Sequence, residues 1–186
     1  FNLNGSYSVT TRHIAAEINI SPGNLYYHYK NKEEIIRLLL EQMFAEFNLF
    51  IRQADSTKDA SLNLVVAVQR TGNIMYKYRF FYMEIYTLLE KDPLLKKRYM
   101  KIKQERITDF RMIFSYFEQA GMMSGPVTDE EFLVLLENAW TLSEFILQSM
   151  YLNRIKITPE NIIRKFSHVM YMLRPYLKKE FRELIK

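Results

Sequence analysis

The residues best equipped for chemistry crowd into one short stretch, Gly23-Asn24-Leu25-Tyr26-Tyr27-His28, with Ser21-Pro22 and Thr11-Arg12 just before it. An amide, phenols and an imidazole in such density suit hydrogen bonding to a polar partner. Asn donates and accepts at once, and Tyr and Thr hydroxyls are short donors. Covalent chemistry has no comparable foothold. There is no glycine-rich phosphate loop, nucleophile elbow or HExxH, and His13, His28 and His168 have no metal-ligand spacing. Neither catalysis, a metal nor a cofactor is expected.

Two helices must position these groups. Thr10 or Ser8 caps a first helix running to about Ile18, in which Ile14 and Ile18 share a face beside the small Ala15. Asn19 follows at a turn, where a left-handed residue is often needed. Ser21-Pro22 then opens a second helix, Pro22–Tyr29, with a capping hydroxyl and a proline at the first helical position. Helical spacing puts Leu25 and Tyr29 against Ile14 and Ile18. Gly23, Asn24 and Tyr27 point the other way, flanked by Pro22, Tyr26 and His28. A helix of two turns is unstable alone. Its outer face carries amide and aromatic groups where a surface helix usually carries Lys and Glu, as a helix reading a major groove requires.

From Val9 to Glu33 the pattern resembles the DNA-binding head of the tetracycline-repressor (TetR) family. The resemblance is carried by Thr11, Arg12, Ile14-Ala15, Ser21, Gly23-Asn24-Leu25-Tyr26-Tyr27, Tyr29 and Lys30-Asn31-Lys32-Glu33. Asn19 stands where many members have Gly. The resemblance implies that Pro22, Gly23, Asn24 and Tyr27 face base edges, and that Thr11, Arg12, Tyr26, His28 and Lys32 contact phosphates. Lys32 sits at a helix start, which favours an anion. Each residue alone has an ordinary reading: Arg12 pairing with Glu17 or Glu33, Lys32 solvated, His28 a surface histidine. Beyond residue 47 the resemblance is one of layout.

The chain of 186 residues has five glycines, five prolines and helical apolar spacing nearly throughout. The fold class is therefore all-α, a helix-turn-helix head (1–47) on a larger helical ligand-binding and dimerisation body (48–186). Phe1-Asn2-Leu3-Asn4-Gly5 reads as the end of a helix lying mostly upstream, closed by a left-handed glycine. Asn31 with Glu34 starts a long helix that joins head to body, with Ile36, Leu39, Met43, Phe47 and Phe50 along one face. Ser56 with Asp59 opens the next, to about Lys77, and helix continues to Glu90. Asp92-Pro93 begins a helix ending at Gly121, and Thr128 with Glu131 begins another to about Leu152. Thr158-Pro159 begins the last, carrying Ile162, Phe166, Met170, Leu173 and Leu177.

The absence of cysteine and a net charge of +5 fit a cytoplasmic protein with a polyanionic partner, and no apolar run reaches membrane-spanning length. The body is rich in Tyr, Phe and Met, a composition suited to a packed core and equally to an adaptable apolar chamber. Tyr86, Phe110, Trp140 and Glu144 are the candidate ligand contacts, with Trp140 and Glu144 four apart on one helix. A structural hydrogen bond and a meeting with a cationic ligand are both open to that Glu. Helix 128–152 is apolar on most sides and must be covered on more than one face. In the family, the last two long helices of each chain form a four-helix interface, which implies a homodimer through 128–152 and 158–177. The implied partners are pseudo-palindromic operator DNA and a small, largely apolar or aromatic effector. The implied activity is that of a repressor released by that effector, against the alternative of a helical carrier or interaction module with a vestigial head.

Overall fold

Caps set most of the helix starts. The structure is a computed structural model describing residues 1–54, 60–125 and 127–185, with the side chains of 50–54 and 60–62 excepted. Its helices are α1 (Gly5–Ser8), α2 (Thr11–Glu17), α3 (Pro22–His28), α4 (Lys32–Ala54), α5 (Ala60–Lys77), α6 (Arg79–Lys91), α7 (Pro93–Gln119), α8 (Asp129–Leu152) and α9 (Pro159–Met170). Two 3-10 segments, Tyr171–Tyr176 and Lys179–Leu184, follow, and no strand is present among the described residues.

Thr10 caps α2 in a reciprocal box with His13, and Ser21 accepts from the Asn24 amide at 3.1 Å to start α3. Asn31 Oδ1 accepts from Glu34 N at 2.9 Å. Asp92 caps α7 through Leu94 and Leu95 N–H while its other oxygen pairs with Arg37 of α4 at 2.6 Å. Thr128 and Glu131 form the expected capping box of α8, and Thr158 caps α9. Each such cap satisfies helix N–H groups that have no intrahelical partner. Gly5 takes the expected left-handed conformation, at φ +71° with its N–H on the Phe1 carbonyl at 2.8 Å, and stands as the first residue of α1. The proposed cap at Ser56 and the side chain of Phe50 lie outside the described residues.

Two expectations need correction. The last α-helix ends at Met170 and does not run to Leu177. Pro175 has no N–H to give the Tyr171 carbonyl and its ring crowds that position. The chain tightens into 3-10 turns, and Leu177 forms an isolated bridge with Met123, braced by Ser124 N on the Tyr176 carbonyl at 2.7 Å. Ile18 is 54% exposed rather than packed against Leu25. Helix α2 stops one residue earlier, so Ile18 closes the helix while Asn19 turns away at φ 56°. Within α2 and α3 the buried residues are Ala15 and Leu25, at 0% and 2% exposure.

The body is a stack of crossing helices. Helix α5 packs along α9, α6 lies against α7 and α8, and α8 against α9. The α5–α9 crossing is close because Gly72 has no side chain. A Cβ there would stand 2.4 Å from Ile163 Cγ1 and 3.0 Å from its Cα. Apolar side chains gather in three clusters, centred on Met43–Phe81–Tyr99, on Phe117–Phe132–Leu177 and on Met75–Leu147–Ile162. The first and third flank α6.

Candidate nucleic-acid interface and internal cavity

On α3, one face is sealed and the other bare. Leu25 is buried, whereas Pro22, Gly23, Asn24 and His28 are exposed and Tyr27 is 85% exposed. The Tyr27 and His28 rings meet edge to face at 5.1 Å, which holds both aromatics outward. Gly23 has ordinary helical space: an added Cβ would meet nothing nearer than Ser21 Oγ at 3.9 Å. Among the described residues nothing demands a glycine at that point.

The residues assigned to phosphates are arranged unevenly. Thr11 Oγ1 and Tyr26 Oη lie 2.9 Å apart, linking α2 to α3. Arg12 stands exposed, and no ion pair joins it to Glu17 or Glu33 among the described residues. Lys32 is half-buried and donates to the Ser6 carbonyl, which leaves two ammonium hydrogens for another acceptor.

Between the helices of the body lies a cavity of about 390 Å³, lined by side chains from α4, α5, α6, α7, α8, α9 and the first 3-10 segment. That size falls within the ~300–1,000 Å³ usual for small-molecule sites. Its wall is overwhelmingly aromatic and aliphatic, with a few polar groups. Three of the four residues singled out by sequence (Phe110, Trp140 and Glu144) line it. Tyr86 does not: it is 78% exposed. On α6 the inward positions are Phe81 and Tyr82, and Tyr86 is four residues beyond Tyr82, where the helix has left the cavity. Tyr82, Tyr99 and Arg106, none of them among the four candidate contacts, also lie on the wall. Arg106 on a buried face was the one sequence signal that could have found the site.

The polar groups of the wall form a cluster. Trp140 Nε1 donates to Glu144 Oε1 at 2.6 Å and lies 2.9 Å from Tyr99 Oη, which itself donates to the same carboxylate oxygen. Burial pushes the Tyr99 and Tyr82 phenols well above their ordinary range, and the negative charge of Glu144 adds to both shifts. Arg106, 4% exposed, is held by Asp109 at 2.9 Å and by the Phe44 carbonyl at 3.2 Å. Burial lowers its guanidinium pKa, partly offset by Asp109.

Helix α6 touches both regions. Phe81 and Tyr82 face the cavity, while the opposite side meets the head. Phe80 N donates to Asn2 Oδ1 at 3.1 Å, the Phe80 ring lies 5.1 Å from Phe1, and Glu84 accepts from Ser6. Gln148 of α8 donates to the Tyr82 carbonyl at 2.6 Å, tying α8 into the same unit.

A short outward-facing helix held by a turn on a second helix, above a hollow helical body, defines a helix-turn-helix regulator. Residues 1–39 match the profile of bacterial regulatory proteins of the tetR family, and residues 41–185 match that of a bacterial transcriptional repressor, TetR. The chain belongs to the TetR family. A TetR-family transcriptional regulator from Marinobacter aquaeolei is similar, with 25% identity and a TM-score of 0.84 over 98% of this chain and 88% of that one. The fatty acid degradation regulator FadR from Bacillus halodurans shares the fold, with 12% identity and a TM-score of 0.68 over 92% and 87%. So does the TetR family regulator PfmR from Thermus thermophilus, with 13% identity and a TM-score of 0.64 over 92% and 91%. No curated protein matches the chain. Among the described residues no helix is long and apolar enough to cross a membrane, and no group of three or more His, Asp or Glu side chains is placed to hold a metal.

Proposed function

We propose that this protein is a homodimeric, cytoplasmic repressor that releases a pseudo-palindromic operator when a small, largely apolar effector fills the cavity. The observation that carries the reading is the exposed face of α3, where Tyr27 projects beside Asn24 from a helix anchored by Leu25. Pro22, Gly23, Asn24 and Tyr27 read base edges. Thr11, Arg12, Tyr26, His28 and Lys32 meet phosphates, which position the head without carrying sequence information. The smallness of Gly23, unused by the fold, suits a close approach of DNA to the backbone.

A second copy of the chain covers the outer side of α8. Leu133, Val134, Leu142, Phe145, Tyr151 and Leu152 are each at least 47% exposed there, together with Tyr171 after α9. Exposed apolar residues in that number on one helix mark an interface. Two heads on a two-fold axis then read a pseudo-palindrome, with half-sites spaced by the dimer geometry. The effector acts by preferring one head spacing over the other, with a coupling typically about 1–3 kcal/mol.

The test is a fluorescence-anisotropy titration at near-physiological salt, comparing DNA from upstream of the protein's own coding region with a shuffled duplex. A preference of about 10³-fold supports a specific regulator. Tyr27→Ala should abolish the preference, whereas Arg12→Ala should weaken binding to both duplexes and flatten the salt slope by about one unit per head. Equal weak binding to every duplex tried, with ligand binding intact, would favour a ligand carrier whose head no longer reads sequence.

A further inference from the structure

The cavity wall holds two ionisable side chains with very different support. Arg106 is balanced by the Asp109 carboxylate and further held by the Phe44 carbonyl. Glu144 has neutral donors only: Tyr99 and Trp140 both give their hydrogens to Oε1. Among the described residues no Lys, Arg or His lies within ion-pair distance of Glu144, and its Oε2 has no hydrogen-bond donor. The ammonium of Lys103 is nearby but sits over the Trp140 ring, 5.7 Å from its centroid.

Taking a carboxylate out of water costs several kcal/mol unless a counter-charge and further hydrogen bonds offset it. Half-buried Glu144 has no counter-charge among the described residues, and it lines a cavity walled also by the aromatic rings of Phe81, Tyr82, Tyr99 and Trp140. Such rings present their negative faces to a cation, an attraction that grows when water is excluded. We propose that the effector is an amphiphilic cation whose amine or quaternary ammonium head sits at Glu144 and whose apolar tail fills the cavity. This rests on the reading of the cavity as the effector site.

Trp140 is the only tryptophan and its indole nitrogen is bonded to Glu144, so its emission reports occupancy of the site directly. Full-length protein is titrated, below micelle formation, with three ligands of one tail: decyltrimethylammonium, decanol and decanoate. The ammonium compound is expected to bind at least tenfold more tightly than decanol, and decanoate more weakly than either. Glu144→Gln keeps an acceptor for Tyr99 and Trp140 while removing the charge. It should bring ammonium and decanol affinities together through weaker binding of the ammonium compound. If that variant does not fold, the series on the parent protein still decides. Equal affinity for ammonium and decanol, or tighter decanoate, overturns the proposal and leaves the effector site standing. Failure of all three to bind overturns both.

Discussion

Both oxygens of the Glu84 carboxylate face the Ser6 amide, with Oε1 at 2.8 Å and Oε2 at 3.1 Å from its nitrogen, and the Ser6 hydroxyl donates to Oε2. Ser6 belongs to the head and Glu84 to α6, so a charged clamp spans 78 residues of sequence. Lys32, at the start of α4, closes the arrangement by donating to the Ser6 carbonyl. The head is thereby fastened to the helix that carries Phe81 and Tyr82 on the cavity wall.

Removing the clamp should loosen the head without emptying the cavity. Hydrogen bonds to charged groups contribute about 1.5–3 kcal/mol. In Glu84→Ala, amide exchange at Ser6 should quicken by roughly 10- to 150-fold by the same conversion. Ligand binding reported by Trp140 emission should be unchanged, and the effector's influence on DNA affinity should shrink. Unaltered Ser6 exchange would show that the clamp does not hold the head.

Gly23 separates the needs of folding from those of recognition. Since a Cβ there has open space, Gly23→Ala should leave the melting temperature unchanged or raise it slightly, because Gly costs a helix about 0.5–1 kcal/mol relative to Ala. Operator affinity should fall nonetheless, by tenfold or more. A variant binding as tightly as the parent would remove Gly23 from the DNA-facing surface.

Gly72 behaves oppositely. An alanine there drives its Cβ into Ile163 and its backbone, so α5 and α9 must separate or shift. Overpacking of this kind costs about 1–3 kcal/mol, or roughly 2–12 °C in melting temperature for a chain of this size. Pairing Gly72→Ala with Ile163→Ala should recover part of the loss, giving a double variant more stable than the sum of the single effects. Strict additivity, measured by thermal melts of all four proteins, would mean that the two residues do not compete for space.

Local chemistry made much of this molecule readable from the residues in order. Thr10, Ser21, Asn31, Asp92, Thr128 and Thr158 each begin a helix where a side-chain oxygen meets an N–H two or three positions on, and that interaction involves no other part of the chain. Asn19 and Gly5 take positive φ for equally local reasons. The outward set on α3 follows from helical spacing once Leu25 is placed inside.

What tertiary structure decided lies where segments distant in sequence meet. Helical spacing set Ile18 against Leu25, and the aromatic-rich body made Tyr86 a candidate ligand contact, yet burial depends on which helix arrives to cover a residue, and both are exposed. The spacing of Trp140 and Glu144 placed them on one face, but Tyr99, 45 residues from Glu144, completes their hydrogen bonding from another helix. Gly72 matters only because α9 crosses at that point, and Ser6 only because Glu84 reaches it. Caps and turns are set within a few residues by backbone hydrogen bonding. The cavity, its unbalanced carboxylate and the clamp on the head arise from helix crossings, which no local pattern specifies.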